Sequence, residues 1–139
     1  MTLKANDLKV GDSFRQRLVE DLKRTQIVQY AGASGDYNPL HTDEIFTTQV
    51  AGYPSVFAHG MLTMGMTGVM LTDHVGDGRL TKFGVRFTSQ VWPGDTLDAT
   101  ATVVRLFDED GAKRVELEVV TRNQNDVEVL RGYAEARVD

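Results

Sequence analysis

Cysteine is missing from this sequence, which excludes disulfide bonds, thiolate nucleophiles and cysteine-ligated zinc. Histidine is scarce, and the three present (His41, His59 and His74) do not have the spacing of a helical metal-binding pair, so we predict no metal site. Positive charge is not in excess either. The formal net charge of −5 argues against a surface that binds nucleic acid, which needs clustered basic residues.

Long hydrophobic runs are also missing. The first ten residues lack a basic stretch followed by an apolar core, so no signal peptide is predicted. The longest apolar stretch, residues 61–71, contains Thr63, Thr67 and two glycines, and is too short and too mixed to span a bilayer. We therefore expect a cytoplasmic protein that does not contact a membrane.

The 139 residues fit one domain over positions 1–139, long enough to bury a core without covalent staples. Patterning predicts a strand over 13–19, a helix from about residue 22 to 31 capped by Asp21, a short helix over 42–50 and a longer one from 58 to 74. Further strands are predicted near 85–91, 97–103, 115–119 and 127–138, with Gly132 a candidate for a β-bulge.

Short turns between consecutive strands indicate an antiparallel sheet. The long helix is apolar in nearly every direction, which indicates that it is buried, and Gly65 and Gly68 within it indicate close contact with a sheet, a partner or a ligand. We therefore predict an α+β domain in which a curled antiparallel sheet wraps a central helix.

Asp36 and His41 lie in a loop rich in glycine and proline, which can bring both side chains to one point. A carboxylate beside an imidazole can hold a water molecule and remove its proton. The same residues have a purely structural interpretation. Asp36 and Asn38 can close a turn through hydrogen bonds to the backbone, and His41 can cap the helix that follows.

His59 and Gly60 lie at the start of the long helix, where free N–H groups and the positive end of the helix dipole face outward. Because glycine has no side chain, a carbonyl oxygen can approach the Gly60 N–H closely, as an oxyanion site for a thioester enolate requires. The alternative is that Gly60 only allows tight packing.

Three sequence blocks carry a family resemblance. Ser34-Gly35-Asp36-Tyr37-Asn38-Pro39-Leu40-His41, preceded by Tyr30-Ala31-Gly32, resembles the hydratase motif of the MaoC-like family of (R)-specific enoyl-thioester hydratases. Ala58-His59-Gly60-Met61-Leu62 resembles the second block of this family, and Val85-Arg86-Phe87 with Trp92-Pro93-Gly94-Asp95 resembles the third. The blocks occur in family order over nearly the whole chain.

The resemblance implies a hot-dog fold and syn hydration of a trans-2-enoyl thioester to the (3R)-hydroxyacyl product, or the reverse, in fatty acid metabolism. It implies that Asp36 and His41 activate the water and that the Gly60 N–H polarises the thioester carbonyl. Asn38, His59 and Met61 are carried over as substrate-binding positions, with Asn38 mainly shaping the loop. No cofactor is implied.

The sequence departs from the family pattern in one place. Some members carry a serine well along the central helix, where this chain has Thr67-Gly68, so Thr67 is the candidate substitute as a substrate-binding residue.

The resemblance also implies an acyl-CoA or acyl-carrier-protein substrate and pairing of two hot-dog chains. Residues 58–65 are similar to the active subunit of actinobacterial (3R)-hydroxyacyl carrier-protein dehydratases, which are heterodimers, so both a homodimer and a heterodimer stay open. Two other functions also stay open: an acyl-thioester hydrolase on the same fold, and an acyl-binding subunit of a heteromeric dehydratase.

Overall fold

The computed structural model describes residues 2–139. Helix α1 covers Arg24–Ser34 and helix α2 covers Gly60–Val75. The strands are β1 (Ser13–Val19), β2 (Leu80–Phe87), β3 (Leu97–Glu109), β4 (Ala112–Arg122) and β5 (Glu128–Arg137). Short 3₁₀ segments cover Ala5–Asp7 and Pro39–His41, and a π-helical turn covers Phe46–Val50. Within residues 2–139, every helix falls short of the length and apolarity that crossing a bilayer requires.

The strands form one sheet in the order β1-β3-β4-β5-β2, with every neighbouring pair antiparallel. Strands β3, β4 and β5 follow one another through tight turns, while β2 reaches the edge of the sheet by pairing with β5. The predicted α+β arrangement of a helix on an antiparallel sheet is therefore confirmed.

Helix α2 packs its apolar side onto the inner face of this sheet. Met70, Leu71 and Val75 are fully buried there against strand residues such as Val103 and Leu117. The helix is not buried on all sides, however. Met61 and Val69 are each 54% exposed, and together with Gly65 they form an open stripe at a spacing of four residues along the helix. The prediction of an all-round buried helix is thus wrong within this single chain.

Of the two helical glycines, Gly68 has the close contact with the sheet that the sequence predicts. A Cβ atom added at Gly68 would lie 3.4 Å from the Phe83 ring of β2. Gly65 lies in open space in this chain.

Several element boundaries differ from the predictions; for example, β3 and β4 run longer than predicted. Two further differences change the place of named residues. Asp21 does not cap α1, because the N-cap residue is Lys23, and Asp21 has a left-handed backbone with its carboxylate paired to the Lys23 ammonium. The strand predicted over 85–91 instead runs over Leu80–Phe87, so residues 88–91 lie outside the sheet.

Gly132 is not a β-bulge. It lies in regular register opposite Val85 on one side and Val119 on the other. The glycine is required for another reason: a Cβ atom at position 132 would lie 1.9 Å from the carbonyl oxygen of Gly84. Only the lack of a side chain lets the backbones of β2 and β5 approach this closely.

We therefore expect Gly132→Ala to lower the free energy of unfolding by about 3 kcal/mol or more, since the clash is with backbone that cannot rotate away. Denaturant titration measures this change. Gly32→Ala, in α1, is the matched control, because nothing lies within 4 Å of an added Cβ there. This control should be neutral or stabilising by up to about 1 kcal/mol. Equal effects of the two substitutions would contradict the close approach.

Candidate active site

The loop that carries Asp36 begins where α1 ends. Gly35 takes a left-handed conformation with φ +76°, and its N–H donates to the Ala31 carbonyl, which terminates the helix. The Ser34 hydroxyl accepts a hydrogen bond from the Asp36 N–H at 3.2 Å. Glycine and serine thus turn the chain sharply, and the Asp36 side chain lies exposed just beyond the helix.

The next residues form a second tight turn. The Asp36 carboxylate accepts from the Asn38 N–H at 3.2 Å, and the Asn38 side-chain oxygen accepts from the Leu40 N–H at 3.0 Å. Asn38 is therefore engaged in shaping the loop. The turn brings His41 back toward Asp36.

His41 is half-buried, and its ring is oriented by the backbone of residue 57. The Nδ1–H donates to the Phe57 carbonyl at 2.7 Å, which leaves Nε2 as the basic nitrogen of the neutral ring. Burial is the main cause that lowers the pKa of His41 below its ordinary value of 6.5, and His59 acts in the same direction. The Phe57 carbonyl and the Asp36 carboxylate oppose this shift. The net effect favours a neutral imidazole, which can accept a proton at neutral pH.

His59 lies directly behind the two predicted catalytic residues. It is 2% exposed, so its ring offers no open surface to a substrate in this chain. Its Nε2–H donates to the backbone carbonyl of Asp36 at 3.0 Å, and its ring stacks on His41 with centroids 3.8 Å apart. The Tyr30 ring also packs on His59, in a T-shaped arrangement with a centroid distance of 4.9 Å.

A carboxylate oxygen of Asp36 and ring nitrogens of His41 and His59 all lie within 4.8 Å of one another. Two hydrogen bonds of roughly 2.8 Å each, meeting at one water molecule, span a gap of this size. A metal ion fits less well. The two imidazole rings are nearly parallel, with an interplanar angle of 24°, so their in-plane lone pairs do not converge on one point. The absence of a metal therefore stays our prediction.

Gly60 is the first residue of α2, and its N–H donates to no acceptor among residues 2–139. The Phe87 ring lies over it, so close that an added Cβ atom would be 2.9 Å from the ring. Gly60 therefore has a free amide, and its lack of a side chain also allows the close packing of the Phe87 ring.

A cavity of about 290 Å³ opens beside Gly60. Its wall contains Phe57 and Thr63, the chain that follows β2, and Val129. The wall residues are Phe57, Ala58, Gly60, Thr63, Phe87, Thr88, Ser89, Gln90, Val91 and Val129.

Of the predicted site residues, only Gly60 lies in this wall. The others, Asp36, Asn38, His41, His59, Met61 and Thr67, lie outside it. Met61 points to the open stripe of α2. Thr67 is fully buried and its hydroxyl is already engaged, with the Thr63 carbonyl at 2.9 Å and the Thr121 hydroxyl at 2.7 Å. Thr63, which sequence reasoning missed, lines the cavity and has a buried hydroxyl with no hydrogen-bond partner among the described residues. Its spacing of three residues from Gly60 on one helix face was the available signal.

The sequence is similar to known dehydratases and hydratases. Over 67 residues, or 46% of this chain, the sequence is 46% identical to 3-hydroxyacyl-thioester dehydratase Y of Mycobacterium tuberculosis, of which it covers 23%. It is 34% identical over 128 residues to the peroxisomal enoyl-CoA hydratase 2 of Arabidopsis thaliana, covering 88% of this chain and 38% of that protein. The chain thus spans well under half the length of these two relatives.

Among solved structures, the unliganded R-hydratase PhaJ1 from Pseudomonas aeruginosa superposes with a TM-score of 0.85 at 25% identity. The match covers 98% of this chain and 85% of that one, which confirms the predicted hot-dog fold. The model of the family described as "MaoC like domain" matches residues 5–127. This chain therefore belongs to the MaoC-like family.

Proposed function

We propose that this chain is a hydro-lyase that reversibly adds water, in the syn sense, to trans-2-enoyl thioesters of CoA or acyl carrier protein, forming (3R)-hydroxyacyl thioesters. One observation carries the proposal: the Asp36 carboxylate and a ring nitrogen of His41 lie within 4.8 Å of each other. His59, whose ring stacks on His41, immediately precedes Gly60 and its free amide. The names of the relatives, enoyl-CoA hydratase and 3-hydroxyacyl-thioester dehydratase, support it.

In the proposed mechanism, a water molecule is held between the Asp36 carboxylate and Nε2 of His41. As the water oxygen bonds to C3, His41 accepts a proton, and the electrons of the C2–C3 double bond move toward the thioester oxygen. The Gly60 N–H donates to this developing enolate oxygen. The enolate then collapses while C2 takes a proton from the Asp36–His41 pair, so one water molecule is added in total. Dehydration runs through the same steps in reverse.

We place the acyl group in the cavity beside Gly60. Its wall joins the Gly60 amide to apolar surface from Phe57, Phe87 and Val129, and apolar walls with a few polar groups are typical of ligand sites. A volume of about 290 Å³ lies at the lower end of the range for such sites.

Gly60→Ala keeps the backbone N–H but adds a methyl group beside it, so we expect kcat/KM for hydration to fall by about 100-fold, the cost of displacing a reacting group by about 1 Å. The added methyl group meets the Phe87 ring at 2.9 Å, so ring and amide cannot both keep their positions. Gly68→Ala, on the same helix but 3.4 Å from the Phe83 ring, is the control. Steady-state rates at several substrate concentrations measure the effect. Wild-type kcat/KM in Gly60→Ala would contradict the close approach of the thioester carbonyl to Gly60.

We also propose that the chain pairs with a second hot-dog chain, identical or different. The open stripe of α2 exposes Met61 and Val69, and strand β2 is an edge of the sheet that ends in the half-exposed Phe87. Exposed apolar side chains beside a free strand edge are typical of an interface. A monomeric mass in solution, alone and with candidate partners, would contradict this pairing.

The direct test follows the ultraviolet absorbance of the enoyl thioester with crotonyl-CoA and with a longer trans-2-enoyl-CoA. Loss of the band without release of free thiol supports the hydro-lyase, and chiral analysis should identify the (3R) product. Release of free thiol would instead identify a thioester hydrolase. Binding of the substrates with neither reaction would favour an acyl-binding subunit.

A further inference from the structure

His59 connects two parts of the site that are distant in sequence. Its Nε2–H donates to the Asp36 carbonyl at 3.0 Å, and it stands immediately before Gly60, the first residue of α2. Its ring also stacks on His41. One buried side chain therefore touches both predicted acid–base residues and is joined through the backbone to the predicted oxyanion donor.

Packing alone does not explain a histidine here. Nδ1 of His59 is buried with no hydrogen-bond partner among the described residues, and a buried unpaired polar atom is unfavourable. A phenylalanine would fill the same space against Tyr30 and His41 without that cost. What a phenylalanine lacks is the N–H that holds the Asp36 carbonyl.

We propose that His59 is a positioning residue: by holding the Asp36 main chain and the His41 ring, it sets the separation between the two groups that activate water. This inference rests on the proposed function. An error of about 1 Å in the placement of a reacting group can cost on the order of 100-fold in rate, so such an anchor acts on kcat rather than on substrate binding.

Electrostatics gives a second effect to measure. The titratable groups that face His41 are Asp36 and His59, and the Phe57 carbonyl accepts from its Nδ1–H. His59 contributes to lowering the pKa of His41, whereas Asp36 raises it. Removing His59 while keeping an aromatic ring in its place should therefore let His41 titrate at higher pH.

The experiment compares two variants by steady-state kinetics with crotonyl-CoA. His59→Phe keeps the stacked ring and loses the donor, while His59→Gln offers an amide N–H at the position of Nε2. We expect kcat to fall about tenfold or more in His59→Phe with KM within about twofold, and to recover substantially in His59→Gln. His59→Asn, whose side chain is too short to reach the Asp36 carbonyl, replaces the Phe variant if that one does not fold.

A kcat in His59→Phe within twofold of wild type, or an equal loss in both variants, would overturn the proposal. His74→Phe is the matched control, since His74 also stacks on an aromatic ring and bonds a backbone carbonyl, but does so away from the site.

Two measurements do not depend on enzymatic turnover. They are amide hydrogen exchange over residues 36–41 and the titration of His41 followed by NMR. We expect faster exchange and a higher His41 pKa in His59→Phe. If neither the exchange rate nor the pKa of His41 changes, the positioning role of His59 is wrong. If the wild type hydrates no enoyl thioester, the proposed function fails, and these two measurements still decide whether His59 holds the loop.

Discussion

Asp36→Asn is expected to lower kcat for hydration by about 100- to 10,000-fold, the range that a general acid–base group contributes. The fold should survive. Asp36 is exposed, and its carboxylate accepts one hydrogen bond, from the Asn38 N–H, which the amide oxygen of asparagine can also accept. We therefore expect the free energy of unfolding to change by less than about 1 kcal/mol.

The matched control for this variant is Asp12→Asn. The Asp12 carboxylate also accepts a single backbone hydrogen bond, from the Lys9 N–H at 3.0 Å, and it lies outside the site. Both variants change the net charge by the same amount, so a rate loss confined to Asp36→Asn isolates the chemistry. If Asp36→Asn unfolds the protein or keeps full activity, the turn-closing interpretation of Asp36 replaces the catalytic one.

His41→Gln should reduce kcat over the same range and also change the dependence on pH. The hydration step needs a neutral imidazole, and the pKa of His41 lies below 6.5, mainly because the ring is half-buried. Activity of the wild type should therefore be full above this pKa and fall as the pH drops through it. In His41→Gln this acidic limb should disappear along with most of the rate.

His74→Gln serves as the control, because His74 likewise bonds a backbone carbonyl, that of Met70 at 2.9 Å, and stacks on Phe14. The measurement is kcat against pH for wild type and both variants with crotonyl-CoA. An acidic limb that persists unchanged in His41→Gln would assign the titration to another group.

Local patterns were sufficient to predict most elements and the site loop. The turn at Gly35 and the side-chain hydrogen bonds of Asp36 and Asn38 all join residues a few positions apart, so their spacing in the sequence predicts them. The strand β1 and the position of the long helix follow from hydrophobic periodicity in the same way.

Features that depend on distant residues were missed. A register shift between Leu80 and Lys82 breaks the alternation along β2, which explains why its first half gave no strand signal. The need for glycine at position 132 depends on the Gly84 carbonyl of another strand. The placement of His59 against Asp36 likewise depends on a fold-level contact between the α1 loop and the start of α2.

The proposed reacting groups and much of the cavity wall come from different segments of the chain, so they can vary independently in evolution. In the proposed site, the water-activating pair comes from the loop over residues 36–41. Much of the cavity wall comes instead from Phe87, residues 88–91 and Val129. Residues 88–90 lie outside the sheet and are exposed, so substitutions there disturb little of the core, whereas Val91 is buried in it. Substitutions at these exposed wall residues can change acyl specificity without changing Asp36 or His41. Relatives with the same loop motif can therefore differ in the acyl chains they accept.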